Sequence, residues 1–590
     1  MKKLLIILLV LIGLATLLGG GLLVAFGVAT WAGRDRIAGS TILELDLETP
    51  FNEYIPDSPA AEIFAGGGAK VRNLVEALER AAGDDRVVGL LARVGGGGSG
   101  LAITQEIRDA VKAFRESGKF AVAWSETIGE GGPGNVGYYM ATAFEEIWLQ
   151  PTGDVNLSGI IYESPFISSM LEKLKVTPRF DQRYEYKNAM NIFTDTKMTL
   201  AHREAMTQLM DAQFGQMVRG IADARNMTED EVRGLFDHGP FLGHQAVDAG
   251  LVDGLSYRDE VRDNVTSRVD GPTKFLAWNK YLDKAGRPHT SGTGVALVYG
   301  VGNIMRGESG YNPVLGSMVM GSDTVAQALR DAIDDDDIEA ILFRVDCPGG
   351  SAVASESVRR EIVRARAAGK PVVVSMGNVA ASGGYWVSLN ADRIIAQPGT
   401  ITASIGVLAG KFLTTNFWSD LGITWDDVQS SAFSSHYSSS YDYTESGWAA
   451  FQAWLDMIYV EFTEKVAEGR DLPIERVREI AKGHIWSGED ALELGLVDEL
   501  GGFPTALRAV RELLELDADA PLKLTLLPRE KTKFEKLAAI FDTSSDTAMA
   551  SAAAIETMRA LQPAVRGIGR VVVPPSTRGV VHVPALPQAQ

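Results

Sequence analysis

A single serine, Ser404, stands in the small and apolar run "TASIGVLAG" (402–410), just after a short apolar stretch, "IIAQPGT" (394–400), that Pro398 and Gly399 break. A hydroxyl presented at such a turn suits nucleophilic attack, and a nucleophile of this kind needs a base to take its proton. No histidine lies within 30 residues on either side. The seven histidines (202, 238, 244, 289, 436, 484, 582) form no HExxH or similar ligand spacing, so neither a metal nor another cofactor is expected. The glycine-rich stretches "GGGGSG" (95–100) and "PGG" (348–350) lack the GK[ST] ending of a phosphate loop.

A candidate base comes from an internal repeat. "RVVGLLARVGGGGSG" (86–100) resembles "DIEAILFRVDCPGGSA" (337–352), "GYYMATAFEEIWLQP" (137–151) resembles "GYWVSLNADRIIAQP" (384–398), and "AVDAGLVDGL" (246–255) answers "ALELGLVDEL" (491–500). From Gly137 against Gly384 the copies align without gaps at a spacing of 247, which sets Ser404 opposite Leu157 and Lys187 opposite Ser434. Each copy carries one member of a Ser–Lys pair and lacks the other. A lysine serves as base only if its pKa falls well below the ordinary value of about 10.4. Burial in an apolar site does this, because desolvation disfavours the ammonium form. Ser–Lys pairs are an established variant of nucleophile activation.

The plainer readings are a small residue packed near a turn for Ser404 and a solvated strand residue for Lys187. "RYEYK" (183–187) alternates with period 2 as a half-exposed strand does. That alternation puts Glu185 on the face of Lys187, where pairing would raise the lysine pKa, whereas Arg183 would lower it. Serines 430, 431 and 434 could orient the lysine, but a Ser-rich loop accounts for most of them.

Positioning two residues so far apart in the chain requires two well-built halves. At 590 residues the chain exceeds a single core. Each half alternates short apolar strands with helical patterns, which predicts α/β domains with parallel sheets and crossover helices. The polar stretch "DKAGRPHTSGTG" (283–294) divides them, giving a first repeat domain over 37–285 that supplies the lysine and a second over 293–525 that supplies the serine. Residues 526–590 turn Ala-rich and then Pro-rich without a counterpart in the repeat, and partial disorder is expected there. After Lys2 and Lys3, residues Leu4 to Gly33 carry no charge. Such a run exceeds the roughly 7–15 apolar residues of a cleavable signal and the ~20 that span a bilayer, so 1–36 is expected to be a membrane anchor, with the bulk of the chain outside the cytoplasm. A net charge of −20 argues against a nucleic-acid partner. The only cysteine, Cys347, excludes an intrachain disulfide and is expected to be a small buried side chain.

The tandem repeat together with "DCPGG", "ASGGYW", "TASIGV" and "YEYKNA", after an N-terminal anchor, resembles the signal peptide peptidase A family in its long bacterial form. The resemblance runs to about residue 515. It implies a Clp-protease/crotonase-like fold in each half, a nucleophilic Ser404 in the "T-x-SIG" match and a general-base Lys187 in the "Y-K-x-A" match. It also implies a membrane-anchored serine endopeptidase of the bacterial inner membrane that degrades cleaved signal peptides and other hydrophobic peptides, assembled as a homotetramer. The tetrahedral oxyanion of such chemistry needs preorganised N–H donors; Gly349 or Gly350 of "PGG" and the amide of Ile405 are the candidates. The first copy faces Leu157 instead of a serine and is expected to be catalytically silent. Two other functions are compatible with the fold: a crotonase-like acyl-CoA enzyme, opposed by the anchor and the lack of an acid–base carboxylate pair, and a non-catalytic membrane scaffold, which has no reason to keep serine and lysine in complementary halves.

Overall fold

The computed structural model describes residues 37–54, 69–96, 98–312 and 317–529. The expected anchor over 1–36 and all but the start of the 526–590 extension lie outside the described residues. Among the described residues no helix is long and apolar enough to cross a membrane.

The sequence repeat builds the same parallel sheet twice. In the first half the strand order is Gly254–Leu255, Glu146–Leu149, Phe120–Ser125, Val87–Arg93, Thr41–Asp46, Lys274–Ala277. The second half repeats it with Glu499–Leu500, Arg393–Ala396, Val372–Ala381, Ala340–Cys347, Thr293–Val301 and Leu522–Leu527. Strands covered by helices on both faces must be apolar along their length rather than alternating; in "AILFRVDC" every position but Asp346 is buried. A short antiparallel pair adjoins each sheet: Asp154–Val155 with Phe241–Leu242 in the first half, Ile401–Ala403 with Ile485–Ser487 in the second.

The likeness reaches individual hydrogen bonds. Tyr138 Oη donates to the Leu251 carbonyl at 2.7 Å and Tyr385 Oη to the Leu496 carbonyl at 2.8 Å. Asp253 accepts from the Ile147 amide and pairs with Arg225, as Asp498 does with the Ile394 amide and Arg470. Both halves therefore fix the far side of the sheet, and the helix that precedes it, in one way.

Two features lock the halves together. Val407–Leu413 of the second half runs antiparallel to Thr177–Arg183 of the first, with Phe180, Phe193 and Phe412 clustered against the ribbon. Deeper in, Arg344 reaches across from its strand to two carboxylates of the first half, Glu53 and Glu106, and donates to Ser375 Oγ at 2.8 Å. All three charged side chains are buried, and burial pushes the Glu53 carboxyl up despite the guanidinium beside it. Removing the cation from such a group leaves carboxylates without compensation, which costs about 3–5 kcal/mol. Arg344→Met is therefore expected to lower the unfolding free energy by about that amount in a denaturant titration. The loss should be larger at pH 8 than at pH 5, where the stranded Glu53 carboxyl takes up a proton.

Candidate active site

Lys187 sits just past the inter-half ribbon. The strand ends at Arg183, and the chain then turns, with the Lys187 amide donating to the Tyr184 carbonyl at 3.2 Å. The turn cancels the strand alternation over 183–187, so Glu185 does not share a face with Lys187. Its carboxylate lies half-exposed, 3.7 Å from Lys482 Nζ. Arg183 is taken up by Asp181, Gln452 and Asp456.

The Lys187 side chain is 7% exposed and points into the second half. Its Nζ lies 3.0 Å from Ser404 Oγ, 2.8 Å from the Ser404 carbonyl oxygen and 3.0 Å from Ser382 Oγ. Burial alone lowers its pKa from 10.5 to about 7. An uncharged amine has two N–H donors and one lone pair. Here the donors satisfy the Ser404 carbonyl and Ser382 Oγ, which leaves the lone pair for the Ser404 hydroxyl proton. Among the described residues, the partners of the amine are these three oxygens and no carboxylate.

The turns that present these groups are held in the left-handed region, with φ of 61° at Ala403, 51° at Ser404 and 54° at Ser382. Non-glycine residues there persist only where surrounding bonds over-determine them, and they concentrate at functional sites. The Ser404 amide donates to the His484 carbonyl at 2.9 Å, the Ser382 amide to the Ala403 carbonyl at 2.7 Å, and Thr402 Oγ1 to the Ala380 carbonyl at 2.7 Å. Gly349 lies directly against this turn: a Cβ there would come within 2.7 Å of Ser382 Cβ, and its φ is +114°. Among the described residues, the amides of Gly350 and Ile405 donate to no acceptor. Cys347 is fully buried, and burial pushes its thiol up to about 12.

The first half departs from this arrangement at the matching positions. Leu157, opposite Ser404, is buried in the core. At the spacing of 247, Asn135 stands opposite Ser382 and Ser158 opposite Ile405. Asn135 Oδ1 accepts from the Ser158 amide at 3.0 Å and its Nδ2 donates to the Gly159 carbonyl at 2.5 Å. The amide that aligns with Ile405 is thus capped by a side chain.

Of the residues singled out from sequence, Ser404 and Lys187 come together. Serines 430, 431 and 434 do not join them. They lie in an exposed loop and bond one another. The serine that meets the lysine is Ser382, in "ASGGYW". The signal for it was present: like Leu157 against Ser404, Asn135 against Ser382 is a difference between otherwise matching copies.

The description of peptidase family S49 matches residues 113–270 and 364–517. Protease 4 of Salmonella typhi is 30% identical over 523 residues, covering 84% of this chain and 82% of that protein. Protease 4 of Haemophilus influenzae is 30% identical over 76% of this chain and 74% of its own length. The chloroplastic serine protease SPPA of Arabidopsis thaliana is 26% identical over 79% and 69%. Among solved structures, a lysine-to-alanine mutant of the 1510-N membrane-bound stomatin-specific protease, in complex with a substrate peptide, is 16% identical over 42% of this chain and 96% of that one, at a TM-score of 0.25.

Keeping the Lys187 amine out of water has a stability consequence with a definite sign. The unfolded lysine holds its proton up to about pH 10.4, whereas the folded one releases it near 7. Between those values the unfolded state binds more protons, so the folded state gains stability as pH rises. The full penalty, about 5 kcal/mol from the difference between the two pKa values, applies below pH 7. Lys187→Met is expected to raise the unfolding free energy at pH 7, and its advantage over the natural chain should shrink steadily towards pH 10 in paired denaturant titrations.

Proposed function

The chain belongs to peptidase family S49 and is a serine peptidase, and we propose that Ser404 is its nucleophile and Lys187 its general base. The observation that carries this reading is the 3.0 Å approach of Lys187 Nζ to Ser404 Oγ in a site where burial holds the amine near neutrality. Ser404 Oγ attacks the scissile carbonyl while Lys187 Nζ takes its proton. The oxyanion accepts from the amides of Ile405 and of Gly350 or its neighbour Gly349. Lys187 then gives the proton to the departing amine, and a water activated by the same nitrogen releases the acyl group. Ser382 holds the amine between turns.

The substrates in this reading are hydrophobic peptides, signal-peptide remnants above all, cleaved by an enzyme anchored through 1–36 in the bacterial inner membrane with its bulk on the extracytoplasmic side. The uncharged run Leu4 to Gly33 supports the anchor. The reading includes a homotetramer, supported by unused repeat symmetry. Within the chain, 407–413 pairs with 177–183. The segments 247 residues away, 160–166 and 424–430, form no strand, and Ile161, Trp425 and Val428 on them are exposed. Copies arranged head to tail would let 424–430 of one meet 160–166 of the next, as a closing ring requires.

The test is direct. Ser404→Ala and Lys187→Arg should each lower kcat/KM on an apolar peptide by roughly ten-thousand-fold or more, the second because a guanidinium stays protonated. Activity of the natural enzyme should rise with pH through about 7, as Lys187 loses its proton. A fluorophosphonate probe should label Ser404 alone, and the full chain should sediment with membranes. Labelling at another serine, or near-normal turnover in Lys187→Arg, would overturn the dyad.

A further inference from the structure

Residues 481–484 behave differently in the two halves. In the first half the helix Glu229–His238 runs almost to the strand Phe241–Leu242. In the second, the helix Ile474–Ile480 stops early and "AKGH" crosses to Ile485–Ser487 as a tight turn, the His484 amide donating to the Ala481 carbonyl at 2.8 Å. Lys482 and Gly483 take φ of 52° and 82° to do so. Matching "AVDAGLVDGL" with "ALELGLVDEL" places 481–484 over 236–239, so the catalytic half has unwound a turn that its silent copy keeps.

That turn bonds through backbone to Ser404 itself and to a neighbour of each dyad member. The Tyr186 amide donates to the Lys482 carbonyl at 3.2 Å, the Gly483 amide to the Ile405 carbonyl at 2.8 Å, and the Ser404 amide to the His484 carbonyl at 2.9 Å. Gly483 has no room for a side chain: a Cβ would lie 2.5 Å from Lys187 Cβ and from its backbone nitrogen. The His484 ring is stacked on Trp486 at 4.1 Å and lies 4.5 Å from the ring of Tyr186, the residue before the lysine.

We propose that 481–484 is the positioning segment of the dyad, in which Gly483 admits Lys187 against the backbone of the nucleophile turn and the His484 ring, packed on Tyr186, keeps water from the amine. The proposal rests on the Ser404–Lys187 reading. Gly483 and His484 touch no reacting atom; they act through the residues they hold. A displacement of about 1 Å in such a pair costs on the order of 100-fold in rate, and water admitted to the amine returns its pKa towards the ordinary value.

The experiment compares the natural chain with Gly483→Ala, His484→Ala and His484→Phe, following peptide hydrolysis and the rate of fluorophosphonate labelling between pH 6 and 10. Gly483→Ala should lose about 100-fold in kcat with KM nearly unchanged. His484→Ala should move the pH midpoint upward from about 7, and His484→Phe, which restores ring packing, should bring it back. Simple loss of folded protein would lower activity at every pH without moving the midpoint. If Gly483→Ala does not fold, the His484 pair decides: an unmoved midpoint in His484→Ala, or a shift that phenylalanine does not reverse, overturns the proposal. A folded Gly483→Ala with natural turnover overturns it as well. In each of those cases labelling of the natural chain at Ser404 leaves the dyad standing, whereas a natural chain unlabelled at Ser404 removes the dyad and its seat together.

Discussion

Burying the Lys187 amine lowers its pKa to about 7 and costs the molecule stability, and much of the architecture answers that single desolvation. The amine has to be enclosed on every side except that of the serine. No carboxylate can stand beside it, since a paired lysine would keep its proton. The nearest acidic residue in sequence, Glu185, is turned outward by the bend after Arg183. The penalty is of the same order as the whole stability of a typical domain. It is offset by the two extensive cores, one in each half, and by the contacts between them.

Those contacts matter because the pair is divided between halves. A ribbon pairing 407–413 with 177–183 delivers Lys187 to within a few residues of Ser404, and the Arg344–Glu53–Glu106 group fixes the sheets behind it. A buried ion group of this kind is weak evidence of net stability, but breaking it is expensive. Its arrangement across the two halves makes relative movement of the halves costly, which suits a reaction needing tenths of an ångström.

The two halves differ at the positions that surround the Ser404–Lys187 pair. Leu157 packs in the core, and Asn135 caps the amide that aligns with Ile405. At 481–484 the second half lacks a helical turn that the first has. Strain follows the same division: Ala403, Ser404 and Ser382 are left-handed, whereas Leu157 and Asn135 opposite them are not among the positive-φ residues.

The repeat and the parallel α/β class were legible in the sequence, because buried parallel strands are apolar runs, and so were the two residues that the fold brings to 3.0 Å, because each copy is a control for the other. A serine facing leucine and a lysine facing serine at one constant spacing single out two residues that the fold brings together. Ser382, which lies 3.0 Å from the amine, was legible too, through Asn135, although the serine-rich 430–434 stretch is the more conspicuous. What the tertiary structure decided was the environment. Strand alternation set Glu185 beside Lys187, and only the turn after Arg183 separates them. No local pattern says that an amine will be fully desolvated, since burial comes from groups contributed by residues about 200 positions away, Ser382 and Ser404. Nor does sequence periodicity reveal that "AKGH" will unwind: a short helix end is set by what must fit beside it, and what fits there is Lys187 from the other half.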